Sequence, residues 1–470
     1  MVYSTSGDQV VQALRQQIEN MAAGEQLAST RSLVAEMAVS PVTVSRALAA
    51  LAAEGLVITR PGSGSYVADR PPRPSPPRDL SWQSMALGAR TIDASSMEFL
   101  LEAVPPGAIP LGSGYPHPSL LPNRALASAL ARASRRPDVS DRPPPLGLSA
   151  LRTWFARSVG PAISAADVLV TSGAQASLSA AFRAIAPPGS PVLMESPTYI
   201  GAITVARAAG LRPVPVPIDD DGVQPARLAE AFGTTGARLF YCQPTFQNPT
   251  GAVLARHRRR EVLEVAATAG AFVVEDDYAR ALNHDKPAPP ALVVDDQDGR
   301  VVYISSLTKP VSPNLRVGAI VARGPVGQRI SALRLVDDFF VPRMLQEAAL
   351  ELVSAPAWGT HLARLGASLA ERRQALLGAL SHHLPESPPP KTPRGGLHVW
   401  LPLADRTDEV DLAGRARAAG VLVSPGRPYY PAEPPAPFLR LSFAAVADVG
   451  ELDQGVQRLA RVMKKRGGCY

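Results

Sequence analysis

Five short apolar runs, each stopping at a cluster of polar residues, constrain what this chain can fold into. They are Val168-Leu169-Val170, Pro191-Val192-Leu193-Met194, Leu239-Phe240-Tyr241-Cys242, Ala271-Phe272-Val273-Val274 and Val301-Val302-Tyr303-Ile304. Each has the length of a strand buried on both faces, and helical stretches separate them. From about residue 106 the alternation predicts an α/β domain, a mostly parallel sheet flanked by helices. Such sheets bind ligands at the carboxyl ends of their strands, where the polar clusters fall.

The last cluster, Ser305 to Arg316, has Lys309 at its centre, with Arg316 seven residues on. A strand-end lysine with a lowered pKa can form a Schiff base. The hydroxyls of Ser306 and Thr308, with Arg316, can hold a phosphate. Alone, the stretch also reads as a surface lysine in a loop; the other clusters add to it. Gly173-Ala174-Gln175 opens a helix straight after a strand, a turn that presents backbone N–H groups to an anion. Tyr199 can cover the face of a planar ring. Asn248, held extended by Pro249, can donate its amide to a phenolate oxygen. Asp276, or Asp277 in its stead, can pair with a protonated ring nitrogen.

Residues 8–69 form a separate head. Helical periodicity predicts a first helix over 8–21, a second capped by Ser29 and a third capped by Ser40 with Pro41 at its first position. Two strands around Pro61-Gly62-Ser63-Gly64 complete a winged helix-turn-helix. Val42, Thr43, Ser45 and Arg46 fall on the third helix's outer face, placed to read bases or bind phosphates. Arg31, Arg60 and the Gly62, Ser63, Gly64 turn are placed for the DNA backbone. The head is nevertheless net −2, with four arginines (Arg15, Arg31, Arg46, Arg60), no lysine, and six acids (Asp8, Glu19, Glu25, Glu36, Glu54, Asp69). Placement, rather than bulk charge, must make its DNA footprint.

Arg70-Pro71-Pro72-Arg73-Pro74-Ser75-Pro76-Pro77-Arg78 is an extended, basic connector, and Ser96–Val104 reads as partly helical. The expected domains are 1–69, a linker over 70–105, and 106–470. The whole chain carries a net charge of +7, which permits an anionic partner. Two cysteines in 470 residues exclude a disulfide scaffold or a cysteine-rich metal site. No metal-ligand spacing, signal pattern or membrane-length apolar run is evident, so a cytoplasmic location is expected. The run Arg256-His257-Arg258-Arg259-Arg260 reads first as a solvated helix face and second as a further DNA contact.

The head resembles the GntR-type DNA-binding domain. The likeness is carried by Leu27-Ala28-Ser29-Thr30-Arg31, Val39-Ser40, Thr43-Val44, Arg46-Ala47, Glu54-Gly55-Leu56 and Arg60-Pro61-Gly62-Ser63-Gly64-Ser65-Tyr66-Val67. It departs at Ala28, where that family has proline, and at Pro41. The body resembles the fold-type-I aminotransferases, which carry a smaller α+β subdomain, and head plus body resemble the MocR-type transcription regulators. The resemblance implies pyridoxal 5′-phosphate as cofactor, with Lys309 as the Schiff-base residue and Asp276 on the pyridine nitrogen. It places Asn248 and Tyr278 at the phenolic oxygen and Tyr199 at the ring. Gly173, Ala174, Gln175, Ser306, Thr308 and Arg316 would hold the phosphate. Arg440, in Phe438-Leu439-Arg440-Leu441-Ser442-Phe443, would clamp the carboxylate of an amino-compound effector. Implied partners are a double-stranded DNA operator and a second copy of the chain, the head of one lying near the body of the other. Two departures stand out. Pro310 follows the lysine where the family has a hydroxyl residue, and it restricts the lysine to extended backbone. The stretch Ser140–Gly147 also lacks a tyrosine that in the family reaches the partner's phosphate. The expected function is a regulator sensing pyridoxal 5′-phosphate, alone or with an amino compound, with at most residual aminotransferase chemistry. The alternative is an active aminotransferase carrying a DNA-binding head.

Overall fold

The computed structural model describes residues 6–69, 79–87 and 93–464. The chain divides into two compact units, Met1–Thr91 and Ile92–Tyr470. The proline-rich connector Arg70–Arg78 lies outside the described residues.

In the first unit, α1 (Ser6–Glu19), α2 (Thr30–Met37) and α3 (Pro41–Ala53) precede strands β1 (Val57–Arg60) and β2 (Gly64–Val67). The caps fall as the sequence predicts. The Ser29 side chain accepts from Ser32 N and the Ser40 side chain from Thr43 N, with Pro41 opening α3. Left-handed Ala38 (φ 52°) makes the turn between α2 and α3, which cross at 113°, the angle of a helix-turn-helix. Val10, Leu14 and Ile18 meet Leu33, Val44, Leu48, Leu51, Val57 and Val67 in one core. α1 stops at Glu19, short of the expected Met21, which packs half-buried beside that core. β1 and β2 pair antiparallel from Val57↔Val67 to Arg60↔Gly64. Gly64 has φ 114°, and a Cβ there would lie 2.7 Å from Gln26 Nε2, which itself donates to Ser63 O at 2.8 Å. The short helix α4 (Ser81–Leu87) follows.

The second unit includes α5 (Ser95–Leu101), within the stretch expected to be partly helical. Its main sheet comprises β3 (Val168–Thr171), β4 (Pro191–Ser196), β5 (Arg212–Asp219), β6 (Gly222–Val223), β7 (Leu239–Cys242), β8 (Phe272–Asp277), β9 (Val301–Ser306) and β10 (Gly318–Val321). Their order is β3-β10-β9-β8-β7-β4-β5-β6. β5, β4, β7, β8 and β9 run parallel, while β10 is antiparallel to both of its neighbours and β6 to β5. The apolar runs are continuous because both faces are covered. Val170, Leu193, Phe240, Val273 and Val301 enter one core, and Leu169, Met194, Leu239, Val274 and Val302 the other. A smaller sheet, β11 (His398–Pro402), β12 (Ser424–Pro425) and β13 (Phe438–Ser442), has the order β11-β13-β12. With helices Ala357–His383, Glu409–Ala418 and Val449–Lys464 it forms the α+β subdomain. Among the described residues no single helix is long and apolar enough to cross a membrane.

Candidate functional site

A cavity of about 300 Å³ lies at the carboxyl ends of β3, β4, β7, β8 and β9. It collects Ala174, Gln175, Tyr199, Asn248, Asp276, Tyr278, Ser306, Thr308, Lys309, Arg316 and Arg440 from across the sequence.

The pleat of β8 decides which carboxylate faces it. Glu275 and Asp277 point to the opposite face. Glu275 accepts the N–H groups of Leu292 and Val293, while Asp277 pairs with Arg280 and accepts from the Tyr303 hydroxyl. Asp276 alone lines the cavity. Its Oδ2 accepts from the Tyr241 hydroxyl (2.8 Å) and Gln243 Nε2 (2.9 Å), and its Oδ1 is buried without a partner. Burial raises its pKa to about 6 against those two hydrogen bonds.

Lys309 sits inside a turn closed by Val311 N donating to Leu307 O at 3.0 Å, not on the extended stretch that Pro310 predicts. The turn bond spans the proline, which has no N–H to lose. Lys309 Nζ donates to Gly114 O (2.8 Å) and stands 3.7 Å from the centre of the Tyr115 ring. Burial, then the Arg440 guanidinium, push this amine down to about 7 against the pull of Asp276.

Arg440, on β13, is 1% exposed. It donates to Gly112 O (2.8 Å) and Asn248 Oδ1 (3.3 Å), its guanidinium lies 5.0 Å from the centre of the Tyr429 ring, and its Nε has no partner. No carboxylate faces it among the described residues. Because Asn248 Oδ1 is taken by Arg440, the Asn248 NH₂ is left for the cavity. Tyr278 is fixed by donating to Phe246 O at 2.9 Å.

At the other end, Gly173 (φ 87°) precedes helix Ala174–Ile185. A Cβ on Gly173 would lie 2.9 Å from Arg316 Nη2, which donates to Ser172 O at 2.7 Å. Ser306 Oγ and Thr308 Oγ1 are 2.8 Å apart. The Tyr199 hydroxyl donates to Gln175 Oε1 (3.3 Å), tying this end to the middle of the cavity.

Sequence reasoning missed Met97, Leu101, Gly114, Tyr115, Gln243 and His398. Gln243 was in reach, as the first polar residue after β7. The others arrive from α5, the 109–115 segment and β11, whose approach no local pattern signals.

On the head, Arg31, Val42, Ser45, Arg46, Arg60, Gly62, Ser63 and Gly64 are exposed and Thr43 is half-buried, its hydroxyl 2.8 Å from Ser40 Oγ. Arg15 is held by Glu54, whereas Arg31, Arg46 and Arg60 form no ion pair among the described residues. The Arg256–Arg260 run does not make a free cationic patch. Arg258 pairs with Asp219 and Arg260 with Glu264, and buried Arg259 donates to Pro290 O.

The profile of "Aminotransferase class I and II" matches residues 107–459. The chain belongs to that family. A second profile, "Bacterial regulatory proteins, gntR family", matches residues 6–67. This member of the aminotransferase family therefore carries a GntR-type, DNA-binding head, the MocR-type arrangement. Two regulators resemble it over nearly its whole length. The uncharacterized HTH-type transcriptional regulator YdfD of Bacillus subtilis is 27% identical, spanning 97% of this chain and 96% of that protein. The probable rhizopine catabolism regulatory protein MocR of Rhizobium meliloti is 26% identical, spanning 96% and 92%. The body also superposes on the α-aminoadipate aminotransferase LysN of Thermus thermophilus, solved with N-(5′-phosphopyridoxyl)-L-leucine. The TM-score is 0.76 at 31% identity, over 82% of this chain and 99% of that one.

Pyridoxal 5′-phosphate is the cofactor of this family, and two observations fit it to this pocket. The orphaned Asp276 Oδ1 lacks the partner that a protonated ring nitrogen supplies. At Gly173, the space beside Arg316 is one that any side chain would fill. A pH prediction follows from Lys309. Its amine is a nucleophile only when unprotonated, and its folded pKa lies below the ordinary lysine value. Capture of added pyridoxal 5′-phosphate should accelerate as pH rises through about 7 and level off above it. Stopped-flow absorbance from pH 5.5 to 9 measures this; a rate still climbing toward pH 10 would show an unperturbed amine.

Proposed function

We propose that this chain is a DNA-binding transcription regulator whose aminotransferase-like body senses pyridoxal 5′-phosphate, alone or with an amino compound. The observation that carries the reading is a winged helix-turn-helix whose Arg31, Arg46 and Arg60 form no ion pair among the described residues, on the same chain as a pocket that keeps Lys309, Asp276 and Arg440 together. When bound, the cofactor supplies an electron-withdrawing ring. Lys309 would hold it covalently and Asp276 would hold the ring nitrogen's proton. Asn248 and Tyr278 would serve the phenolic oxygen, and Tyr199 the ring. Gly173, Ala174, Gln175, Ser306, Thr308 and Arg316 would take the phosphate, and Arg440 the effector's carboxylate.

Ligand binding changes operator affinity only if two arrangements of the protein differ in ligand affinity. A dimer, common in this family, supplies such arrangements, and the exchange of heads implied by the resemblance is part of the proposal. Val336 (82% exposed) and Phe339 (69% exposed) offer apolar surface for a second copy. The operator is the first thing to test. Purified protein should bind a segment near its own gene in band-shift assays at physiological salt. Arg46→Ala should weaken that binding by about 1–3 kcal/mol, with relaxed preference at the base it reads. Equal affinity for operator and random DNA would sink the regulator reading.

A second reading, an aminotransferase carrying a DNA-binding head, is favoured by the same three pocket residues. Multiple turnovers between an amino acid and a keto acid would establish it.

A further inference from the structure

His398 opens β11, is 4% exposed, and has no part in the roles assigned above. Its position follows from register. His398 pairs with Ser442, and Trp400 with Arg440, across β11 and β13. Residues directly opposite share a face, as do residues two apart along a strand. The imidazole and the Arg440 guanidinium therefore leave the same face of the smaller sheet as diagonal neighbours, rooted about 7 Å apart. The other face sends Val399, Leu401, Leu439 and Leu441 into the subdomain core.

Both polar side chains line the cavity with Lys309. Gly112 takes Arg440 and Gly114 takes Lys309, and the Ser113 backbone between them adjoins the His398 ring. Burial, then the charges of Arg440 and Lys309, hold the imidazole neutral against that backbone, which favours its protonation. His398 Nε2 is buried with no partner. A neutral imidazole carries one N–H and one lone pair, and in the tautomer with its proton on Nδ1, Nε2 is a lone pair in need of a donor. A cavity already lined by Lys309, Arg316 and Arg440 disfavours another cation. An amide would bring a carbonyl that needs its own donor, whereas a hydroxyl turns to donate and needs nothing more.

We infer that His398 selects the amino compound: with the carboxylate on Arg440, Nε2 accepts a hydrogen bond from a hydroxyl on the amino acid's side chain. This rests on the reading that the pocket takes an amino compound, and deepens it by naming the class.

The test compares a hydroxyl with a methyl at constant length. Protein loaded with pyridoxal 5′-phosphate is titrated calorimetrically with L-serine against L-2-aminobutyrate, L-homoserine against L-norvaline, and L-5-hydroxynorvaline against L-norleucine. At least one hydroxylated member should bind about tenfold or more tighter than its isostere, because the isostere leaves Nε2 unpaired. His398→Phe should abolish the preference, and His398→Gln, which keeps a side-chain acceptor, should restore part of it. The cofactor absorbance should be unchanged in both variants. Equal affinities within every pair, or a preference that survives His398→Phe, overturn the assignment while leaving the cofactor sensor standing. Failure of every amino acid to bind overturns the assignment and the amino-compound reading together. Absence of any cofactor band removes the sensor as well.

Discussion

Lys309→Ala should abolish the visible absorbance band expected of wild-type protein with pyridoxal 5′-phosphate, and borohydride should then fix no cofactor to the chain. On the proposed reading the Lys309 amine would be the group that holds the cofactor's aldehyde carbon, and no other lysine lines the cavity. The chain has five lysines, Lys286, Lys309, Lys391, Lys464 and Lys465. Among the residues lining the cavity, Lys309 is the lysine. Lys391 is exposed and paired with Asp220. Peptide mapping of borohydride-treated wild type should therefore find a single modified site. The fold should tolerate the change. Removing Lys309 frees one carbonyl, Gly114 O, and takes away an amine that burial already disfavours as a cation. Thermal unfolding without cofactor should shift by only a few degrees, on the order of 1 kcal/mol. With saturating cofactor, wild type should gain stability that the variant lacks. A band of undiminished intensity in Lys309→Ala would place the attachment elsewhere and undo the assignment of this pocket.

Arg440→Lys should leave the cofactor band in place and remove any response to carboxylate-bearing amino compounds. The guanidinium is buried, faces no carboxylate among the described residues and keeps Nε unpaired, the condition of a cation waiting for an anion. A lysine there keeps the charge and loses the fork that grips a carboxylate through two parallel hydrogen bonds. The loss on a desolvated charge pair is about 2–5 kcal/mol, roughly thirtyfold or more in affinity. Arg440→Ala would lose as much and would also strand Gly112 O and Asn248 Oδ1, adding about 1–3 kcal/mol of destabilisation. Lysine is therefore the cleaner substitution. The readout is the concentration of amino acid needed to shift the cofactor band, in wild type and in Arg440→Lys. An unchanged midpoint would assign the carboxylate to another group, with Arg316 the next cation to change.

Much of this was legible because the relevant signals are local. Ser29 and Ser40 cap helices and Pro41 opens one through contacts within a single turn, and Gly62 and Gly64 both take positive φ in the wing's turn. Each apolar run announced a strand, and each polar cluster after it announced a strand end. Asp276 was preferred to Asp277 through the family resemblance alone, because choosing between them from the residues needs the phase of the pleat relative to the two cores. The run 256–260 read first as a solvated helix face, and only the fold shows that Asp219, Glu264 and Pro290 O take three of its arginines.

The sequence by itself determined the two-part plan and which polar clusters, Lys309 among them, follow the buried strands, since those depend on residue type and spacing along one segment. Only the tertiary structure decided the electrostatics of the pocket. Lys309 is lowered by burial and by Arg440, which lies 131 residues away in sequence. Asp276 is raised by burial between sheet and helices, and His398 reaches the cavity because β11 pairs with β13 in one register rather than the next. Burial and register arise from contacts between distant segments, and no window on the chain contains them.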